Sequence, residues 1–447
     1  MSGSSYKRGL LNDDESDGRQ HTGRQLVLYD PDAGEEVLES IGGMAGGRVA
    51  RASDFDGSAV DAGQVADASV VVFERLGVAV VSGEPAGVSS LRAAVDAPGP
   101  ILAMEPEQVM WAVKDDVLDV AAGAEDYARG YGDGVDNLLR SLRLKVFAGG
   151  QQRDGVEEAA ASDESLFTWG LQATGASVSR FMGTRVPVAI LDTGLDLTHP
   201  DFRGRAITSR SFIAGEPVQD RNGHGTHTAG TSTGTASASI HPRYGVASKA
   251  GIFIGKVLSN GGSGADAGII AGIEWALANH CRVVSMSLGA PVRPGEAPSA
   301  VYEALARRCL QQNLLIVAAA GNDSNRAAGI VKPVSRPANC QSIMAVAALD
   351  RALRVAGFSN GGVNPAGGQV DLAGPGVDVH SSWPMPTRYR RISGTSMATP
   401  HVAGAAALMM EANPRATASE IWALLVRHAR RLPLPARDVG AGLVQCP

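Results

Sequence analysis

Short apolar runs alternate with helix-like segments from about residue 166 to the end of the chain. The runs lack the polar residue at every second position that marks a half-exposed strand, and ADAGIIAGIEWALANH (265–280) has helical spacing. This pattern is typical of parallel strands that helices cover on both faces. We therefore expect an α/β fold with a mostly parallel central sheet, built from VPVAILD (186–192), AGIFIGKVL (250–258), CRVVSMSLG (281–289), NLLIVAAAGN (313–322) and SIMAVAAL (342–349).

The chain before residue 166 divides into three parts of different character. Residues 1–65 are polar and rich in Gly, Asp and Ser, which predicts a largely irregular leader. Residues 66–112 have the pattern strand, helix, strand, which predicts a small α+β unit with little core of its own. Residues 113–165 are acidic and Gly-rich, as expected of a linker, and they precede one large domain over 166–447.

The net charge of −6 conceals opposite charges on the two parts of the chain. Residues 1–165 hold 14 basic and 30 acidic side chains, whereas residues 166–447 hold 26 basic and 16 acidic ones. Opposite charges favour docking of the two parts and speed their encounter. A solvated, partly disordered acidic leader is the alternative interpretation, and both can hold at once.

Several sequence features are missing, and each absence excludes a class of protein. No apolar stretch approaches 18 residues, and we find neither a GxGxxG after the first strand nor a P-loop, so we expect no membrane, nucleotide or nucleic-acid partner. The four cysteines form no CxxC pair, which predicts isolated thiols in a reducing compartment. The N-terminus lacks an apolar h-region, so we expect no signal peptide and a chain that is cytoplasmic or exported by a non-classical route.

Two strings place a carboxylate and an imidazole in special backbone settings. DTGLDLTHPDF (192–202) begins with Asp192 at the end of a predicted strand, where a carboxylate can hold an imidazole in one tautomer. A role as a structural turn cap is an equal alternative for this residue alone. In NGHGTHTAG (222–230), His224 lies between glycines that allow close backbone approach, and we interpret His227 as a hydrogen-bonded core histidine.

Two further strings supply a hydroxyl and an amide. SGTSMATPHVAG (393–404) places Ser396 where a tight turn enters a helix of small residues, and a helix N-terminus favours developing negative charge. AAAGND (318–323) places Asn322 after a strand and a glycine. Considered alone, this residue is better interpreted as an Asn in a left-handed turn.

Together these four strings resemble those of the subtilisin family, and the resemblance covers about residues 166–440. It implies a subtilisin-like three-layer fold and a serine endopeptidase that hydrolyses polypeptides through an acyl-enzyme intermediate. The implied catalytic triad is Asp192, His224 and Ser396, in an order that differs from chymotrypsin and the α/β-hydrolases. Asn322 matches the side-chain donor to the oxyanion, which works with the backbone N–H of Ser396.

Two segments resemble the family's substrate-binding walls, which hold an extended peptide by strand addition with little demand on its sequence. A flexible loop is the alternative for the second wall, which lies in NGGSG. The walls are Ser287, Leu288 and Gly289 on one side and Gly262, Ser263 and Gly264 on the other.

Residues 69–112 resemble, more weakly, the family's inhibitory propeptide, through LGVAVVSG and AMEPE. The resemblance implies that the chain's own N-terminal region is a partner of the catalytic domain, assists its folding and blocks the cleft until it is cut away. The opposite charges of the two parts agree with such docking. We therefore expect a self-processing precursor.

The chain departs from the family at two places. Asp201 matches a calcium-ligand position, but GTASASIHPRYGVAS (234–248) stands where relatives have an Asn-rich ligand loop. Too few hard oxygen ligands argue against calcium there, and we expect catalysis to need no metal or other cofactor. The floor of the pocket for the residue before the scissile bond falls near Ser335 and Arg336, where many relatives have Gly and an aromatic residue, so the preference of that pocket stays open.

Two alternatives to a general endopeptidase stay open. A catalytically silent binding or regulatory protein could use the same fold, although all four catalytic positions are filled. A dedicated maturation protease with one target protein would fit the long acidic leader.

Overall fold

The computed structural model describes residues 12–13, 20–60, 63–112, 163–236 and 242–447. The strands in these ranges are β1 Asn12–Asp13, β2 Gln20–Tyr29, β3 Val49–Arg51, β4 Val70–Phe73, β5 Val78–Val81, β6 Ile101–Ala112, β7 Pro187–Asp192, β8 Ile207–Ser211, β9 Gly251–Lys256, β10 Ser263–Ala265, β11 Val283–Met286, β12 Leu288–Gly289, β13 Leu315–Ala319, β14 Met344–Leu349, β15 Leu372–Pro375, β16 Val379–Ser382 and β17 Tyr389–Ile392. The helices are α1 Glu35–Ala45, α2 Pro85–Asp96, α3 Trp169–Ala173, α4 His224–Thr233, α5 Asp266–Ala278, α6 Ala300–Gln311, α7 Thr395–Ala412, α8 Ala418–His428 and α9 Ala436–Val439.

A parallel sheet forms the centre of the large domain, with strand order β15-β14-β13-β11-β7-β9-β8. Helices α5 and α6 pack against one face, and α7 and α8 pack against the other. Strands such as β13 are buried along their whole length because both faces are covered. The predicted three-layer α/β fold with a mostly parallel central sheet is confirmed.

The carboxyl ends of three central strands bring the motif residues to one edge of this sheet. Asp192 is the last residue of β7, Ser287 directly follows β11, and Asn322 follows β13 by three residues. Parallel strands end at a common edge, so residues far apart in sequence meet there.

A second sheet belongs to the N-terminal region, which we define as residues 20–112. Its strands lie in the order β3-β4-β5-β2-β6, and β6 also pairs with β10 and β12 of the large domain. Helices α1 and α2 cover one face of this sheet, while the other face packs on α5 and α6. An α+β unit therefore precedes the large domain and shares a hydrophobic core with it.

The prediction that residues 1–65 are largely irregular is wrong for residues 20–60, which contain β2, α1 and β3. β2 has only the short apolar run LVLY after a polar start, and its pairing with β5 and β6 makes it a central strand. α1 has two interior glycines, each of which costs about 1 kcal/mol relative to alanine. Burial of Val37, Leu38 and Ile41 offsets that cost, so the α+β unit starts near residue 20 and not at 66.

Most of the predicted linker over 113–165 lies outside the described residues, which resume at residue 163. The first residues after this gap are bound to the large domain. Glu164 accepts the N–H of Trp169 at 2.6 Å and forms ion pairs with Arg351 and Arg391 at 2.9 and 2.5 Å. Among the described residues, no helix combines the length and the apolar character needed to span a bilayer.

Candidate active site

A carboxylate and an imidazole lie together at the carboxyl edge of the central sheet. His224 opens α4, and its Nδ1 lies 2.7 Å from Oδ1 of Asp192 at the end of β7, with both side chains buried. An ionised carboxylate only accepts hydrogen bonds, so Nδ1 carries the proton and Nε2 is the basic nitrogen. Asp192 is held in turn by the N–H of Thr193 at 2.7 Å and the hydroxyl of Thr228 at 3.1 Å. The imidazole therefore has a fixed tautomer and orientation.

Asp220, which matches no motif position, organises the turn before α4. Its Oδ2 accepts the N–H and the hydroxyl of Thr226 at 2.9 and 2.7 Å, while Oδ1 accepts the N–H of Gly223 at 2.9 Å and the hydroxyl of Thr193 at 3.0 Å. These bonds join the end of β7 to the start of α4 and so set the position of the imidazole. The motif strings assign no role to Asp220, although an Asp shortly before a helix is a capping signal.

Ser396 lies at the second position of α7, an 18-residue helix, and its side chain is buried. Its hydroxyl donates to the main-chain carbonyl of Ser287 at 3.4 Å, and the hydroxyl of Ser287 donates to the carbonyl of Ser396 at 2.8 Å. The two bonds fix the start of α7 against the segment that follows β11. The helix N-terminus adds a positive field at this serine.

Asn322 is bound to the residue that precedes the serine. Its Oδ1 accepts both the N–H and the hydroxyl of Thr395 at 2.9 Å, which leaves Nδ2 as the donor on the opposite side of the amide. Gly321 before it has φ of +107°, and a Cβ there would lie 2.2 Å from Oγ of Ser335. Glycine is therefore required to bring this amide to the edge of the sheet.

The two predicted walls hold an extended strand between them, and that strand is β6 of the N-terminal region. On one side Ser263 and Gly264 in β10 pair antiparallel with β6, and on the other side Leu288 and Gly289 in β12 do the same. The N–H of Ala112, the last described residue of β6, donates to the carbonyl of Gly262 at 2.8 Å. Main-chain hydrogen bonds of this kind bind a peptide by strand addition.

His227 has the environment of a core histidine. It is fully buried in α4, and its Nε2 lies 3.0 Å from the main-chain oxygen of Val379. Burial lowers the pKa of His227 to about 3, so the ring is neutral at physiological pH. A neutral ring that bonds a carbonyl agrees with the structural role predicted for it.

Asp201, at the position where relatives place a calcium ligand, bonds two phenols. Its Oδ2 accepts the hydroxyl of Tyr244 at 2.6 Å and that of Tyr389 at 2.8 Å. Among the described residues, no group of three or more His, Cys, Asp or Glu side chains could hold a metal ion. The carboxylate of Asp201 is thus engaged by two phenols, and the expectation that calcium is not bound at this position stays a prediction.

Arg336 is predicted near the floor of the pocket for the residue before the scissile bond, but its guanidinium pairs with a carboxylate of the protein. The guanidinium is buried, lies 3.1 Å from Asp266 and stacks over Tyr302 at 5.1 Å from the ring centre. Ser335 is also buried. Because the arginine charge is neutralised inside this cluster, it supplies no free cation for an acidic substrate side chain.

Comparison with known proteins agrees with this geometry. The model of the subtilase family matches residues 183–442. The chain is 43% identical to subtilisin Savinase of Lederbergia lenta over 250 residues, which are 55% of this chain and 85% of that protein. It is also 43% identical to an alkaline protease of Alkalihalobacillus alcalophilus, of which it spans 60%, and 39% identical to subtilisin E of Bacillus subtilis (strain 168), of which it spans 59%.

The chain therefore belongs to the subtilase family. It is a serine-type endopeptidase, and its substrates are polypeptides.

Proposed function

We propose that Asp192, His224 and Ser396 form the catalytic triad and that Asn322 donates a hydrogen bond to the oxyanion. The observation that carries the proposal is the 2.7 Å hydrogen bond between Asp192 and His224. It lies at the sheet edge where α7 begins, with Ser396 at the second position of that helix. A buried carboxylate that orients an imidazole is the arrangement that lets the imidazole act as a general base.

The reaction starts when Nε2 of His224 takes the hydroxyl proton of Ser396 while Oγ attacks the carbonyl carbon of the scissile bond. Asp192 stabilises the imidazolium that results, without taking its proton. The imidazolium then protonates the leaving amine, which leaves an ester on Ser396. Water attacks the ester with the same base and acid roles, and the serine is restored.

The carbonyl oxygen becomes negative in both tetrahedral intermediates. Nδ2 of Asn322 and the N–H of Ser396 are the proposed donors to it, because Thr395 already occupies Oδ1 of the amide. A single donor of this kind contributes about 3–4 kcal/mol of transition-state stabilisation.

We further propose that the N-terminal region is an inhibitory propeptide which the chain removes by its own activity. β6 occupies the cleft between the walls, with Ala112 opposite Leu288. Ser287, the residue before Leu288, has its carbonyl oxygen 3.4 Å from Oγ of Ser396, so Ala112 lies close to the serine. We therefore propose a cut within a few residues beyond Ala112.

An activity probe tests the triad against the silent-protein alternative. We expect a fluorophosphonate to label Ser396 of the processed enzyme, because an activated serine attacks the phosphorus centre. Tryptic mass spectrometry would locate the label, and heat-denatured enzyme is the control for non-specific reaction. Processed protein that stays unlabelled at Ser396 would favour a catalytically silent binding protein.

We also propose that calcium has no role at Asp201. Thermal unfolding of the full-length Ser396→Ala chain is expected to give the same Tm with a chelator or with added calcium, since two phenols already satisfy the carboxylate. Tyr389→Phe removes one of these hydrogen bonds, worth about 1 kcal/mol, and should lower Tm by about 2–4 °C in both conditions. A Tm that rises by many degrees only with calcium would contradict the proposal.

A further inference from the structure

The N-terminal region buries several carboxyl groups where it meets the large domain, and two of them are fully compensated. Glu105 accepts the N–H of Ala300 at 2.6 Å and the hydroxyl of Ser299 at 2.6 Å, at the start of α6. Glu107 accepts the N–H of Ala267 at 2.9 Å, at the start of α5, and pairs with Arg24 at 2.6 and 2.8 Å. Helix N-termini and a guanidinium thus supply hydrogen-bond donors to both carboxyl groups.

A third carboxyl at the same contact is not compensated. Glu274 of α5 is fully buried, and the described residues give its Oε1 only two long hydrogen bonds of 3.3 Å, from the N–H and the guanidinium of Arg75 in the N-terminal region. Within the described part of the chain, the buried Oε2 accepts no hydrogen bond. Glu74 lies in the turn after β4, and its Oε2 is also buried and accepts no hydrogen bond from a described residue.

The other groups around Glu274 do not neutralise it. Arg308 of α6 gives its guanidinium to the main-chain carbonyls of Leu76 and Tyr29. The guanidinium of Arg75 is 43% exposed, so water screens it. Burial, with a smaller contribution from Glu74, raises the pKa of Glu274 to about 7 against the opposing effect of Arg75.

Two further titratable groups at this contact, the Tyr29 phenol and the Cys309 thiol, also stay uncharged. Burial and the nearby carboxylates raise the pKa of the Tyr29 phenol, and burial raises that of the Cys309 thiol, so both stay neutral at physiological pH. Among the described residues, Glu274 is therefore buried beside a second carboxyl group, Glu74, and the only guanidinium that bonds it, that of Arg75, is partly exposed to water.

We propose that Glu274 is a proton-dependent latch, which holds the N-terminal region on the catalytic domain at acid pH and weakens its docking as the pH rises. This inference rests on the proposed role of the N-terminal region as an inhibitory propeptide, and it adds a way in which pH would regulate release of that region. Docking brings Glu274 under the turn that carries Glu74 and Arg75, so it favours the neutral carboxyl. Undocking returns the side chain to water, where the ionised form is preferred.

The direction follows from proton linkage. The usual pKa of a glutamate is about 4.5, and that of Glu274 in the docked state is about 7. Below the lower value both states are protonated and docking does not depend on pH. Between the two values only the docked state holds the proton, so docking weakens up to tenfold per pH unit, by about 300-fold in all between the two limits, and it becomes independent of pH again well above pH 7.

Hydrogen exchange of the full-length Ser396→Ala chain measures docking without any cleavage. The amides of Gln108 and Ala112 bond to Asp266 and Gly262 across the contact, so they exchange when the N-terminal region lifts. After correction for intrinsic exchange rates, we expect the opening equilibrium to rise by about 100-fold between pH 4.5 and 7.5. In the same Ser396→Ala background, the opening equilibrium of Glu274→Gln should stay at its acid-pH value over the whole pH range.

Two further variants separate the latch from a general loss of packing. Glu105→Gln removes a compensated carboxylate, so it should raise opening at every pH while it keeps the pH dependence. Glu74→Gln should reduce the pH dependence in part.

An equal rise of the opening equilibrium with pH in the Glu274→Gln and parent chains would overturn the latch. None of these measurements requires hydrolysis, so this outcome is separate from a failure of the proposed triad. If Glu274→Gln does not fold, loss of the pH dependence in Glu74→Gln decides instead, and its full retention there overturns the latch.

Discussion

Replacing Ser396 by alanine is expected to abolish peptide hydrolysis and to leave the chain in one piece. The substitution removes the only atom that forms the acyl-enzyme in the proposed mechanism, so kcat should fall by about 10⁶-fold. The folded structure should persist, because the hydrogen bond from the hydroxyl to the carbonyl of Ser287 is long, at 3.4 Å, and alanine fits the same space. Intact-mass spectrometry of freshly expressed protein measures the processing, and a peptide substrate measures the hydrolysis.

Ser393→Ala is the matched control, three residues earlier in the same turn. Its hydroxyl accepts the N–H of Asp378 at 3.0 Å and has no proposed part in the reaction, so this variant should process and hydrolyse almost as the parent does. If the masses of Ser396→Ala and the parent after expression differ only by the oxygen atom that the substitution removes, self-processing is contradicted. A parent that is fully active with its N-terminus still at residue 1 would contradict the inhibitory role of the N-terminal region.

Five strands of the central sheet could be predicted from the sequence because their runs are almost wholly apolar, whereas the edge strands β8 (ITSRS) and β15 (LAGP) lack such a run. Runs such as VPVAILD remain recognisable whatever their partners are, since burial on both faces leaves no polar position. β2 is different, because its apolar run is short and the strand is held in the sheet by pairing with β6. The paired residues of β6 are more than 70 positions away in the sequence. Pairing over that distance leaves no local signal, so the start of the N-terminal unit was placed too late.

The candidate site shows the same contrast between local signals and three-dimensional pairing. The strings around Asp192, His224 and Ser396 are local and specific, and they identified the residues that the fold brings to one edge. Glu274 has no such string, since after Asp266 at its start the helix α5 is apolar at every position but this one. Its burial depends on a turn of the N-terminal region some 200 residues earlier, which only the coordinates reveal.

Asp192→Asn is expected to lower kcat by about 10⁴-fold while the fold is kept. Asparagine has the same shape, and its oxygen can still accept the N–H of Thr193 while its nitrogen turns to the hydroxyl of Thr228. The negative charge beside Nδ1 of His224 is lost, however, so the imidazolium of the transition state is no longer stabilised. Steady-state kinetics of the processed variant, with circular dichroism to check the fold, measure the effect.

Thr228→Val distinguishes the charge of Asp192 from its positioning. Valine keeps the shape of threonine but removes the hydroxyl that donates to Oδ2 at 3.1 Å, while the carboxylate and its 2.7 Å bond to the imidazole remain. We expect a loss of less than about tenfold, because a neutral hydrogen bond contributes only about 1 kcal/mol. A loss as large as that of Asp192→Asn would mean that orientation dominates, whereas an Asp192→Asn variant within tenfold of the parent would remove this carboxylate from the mechanism.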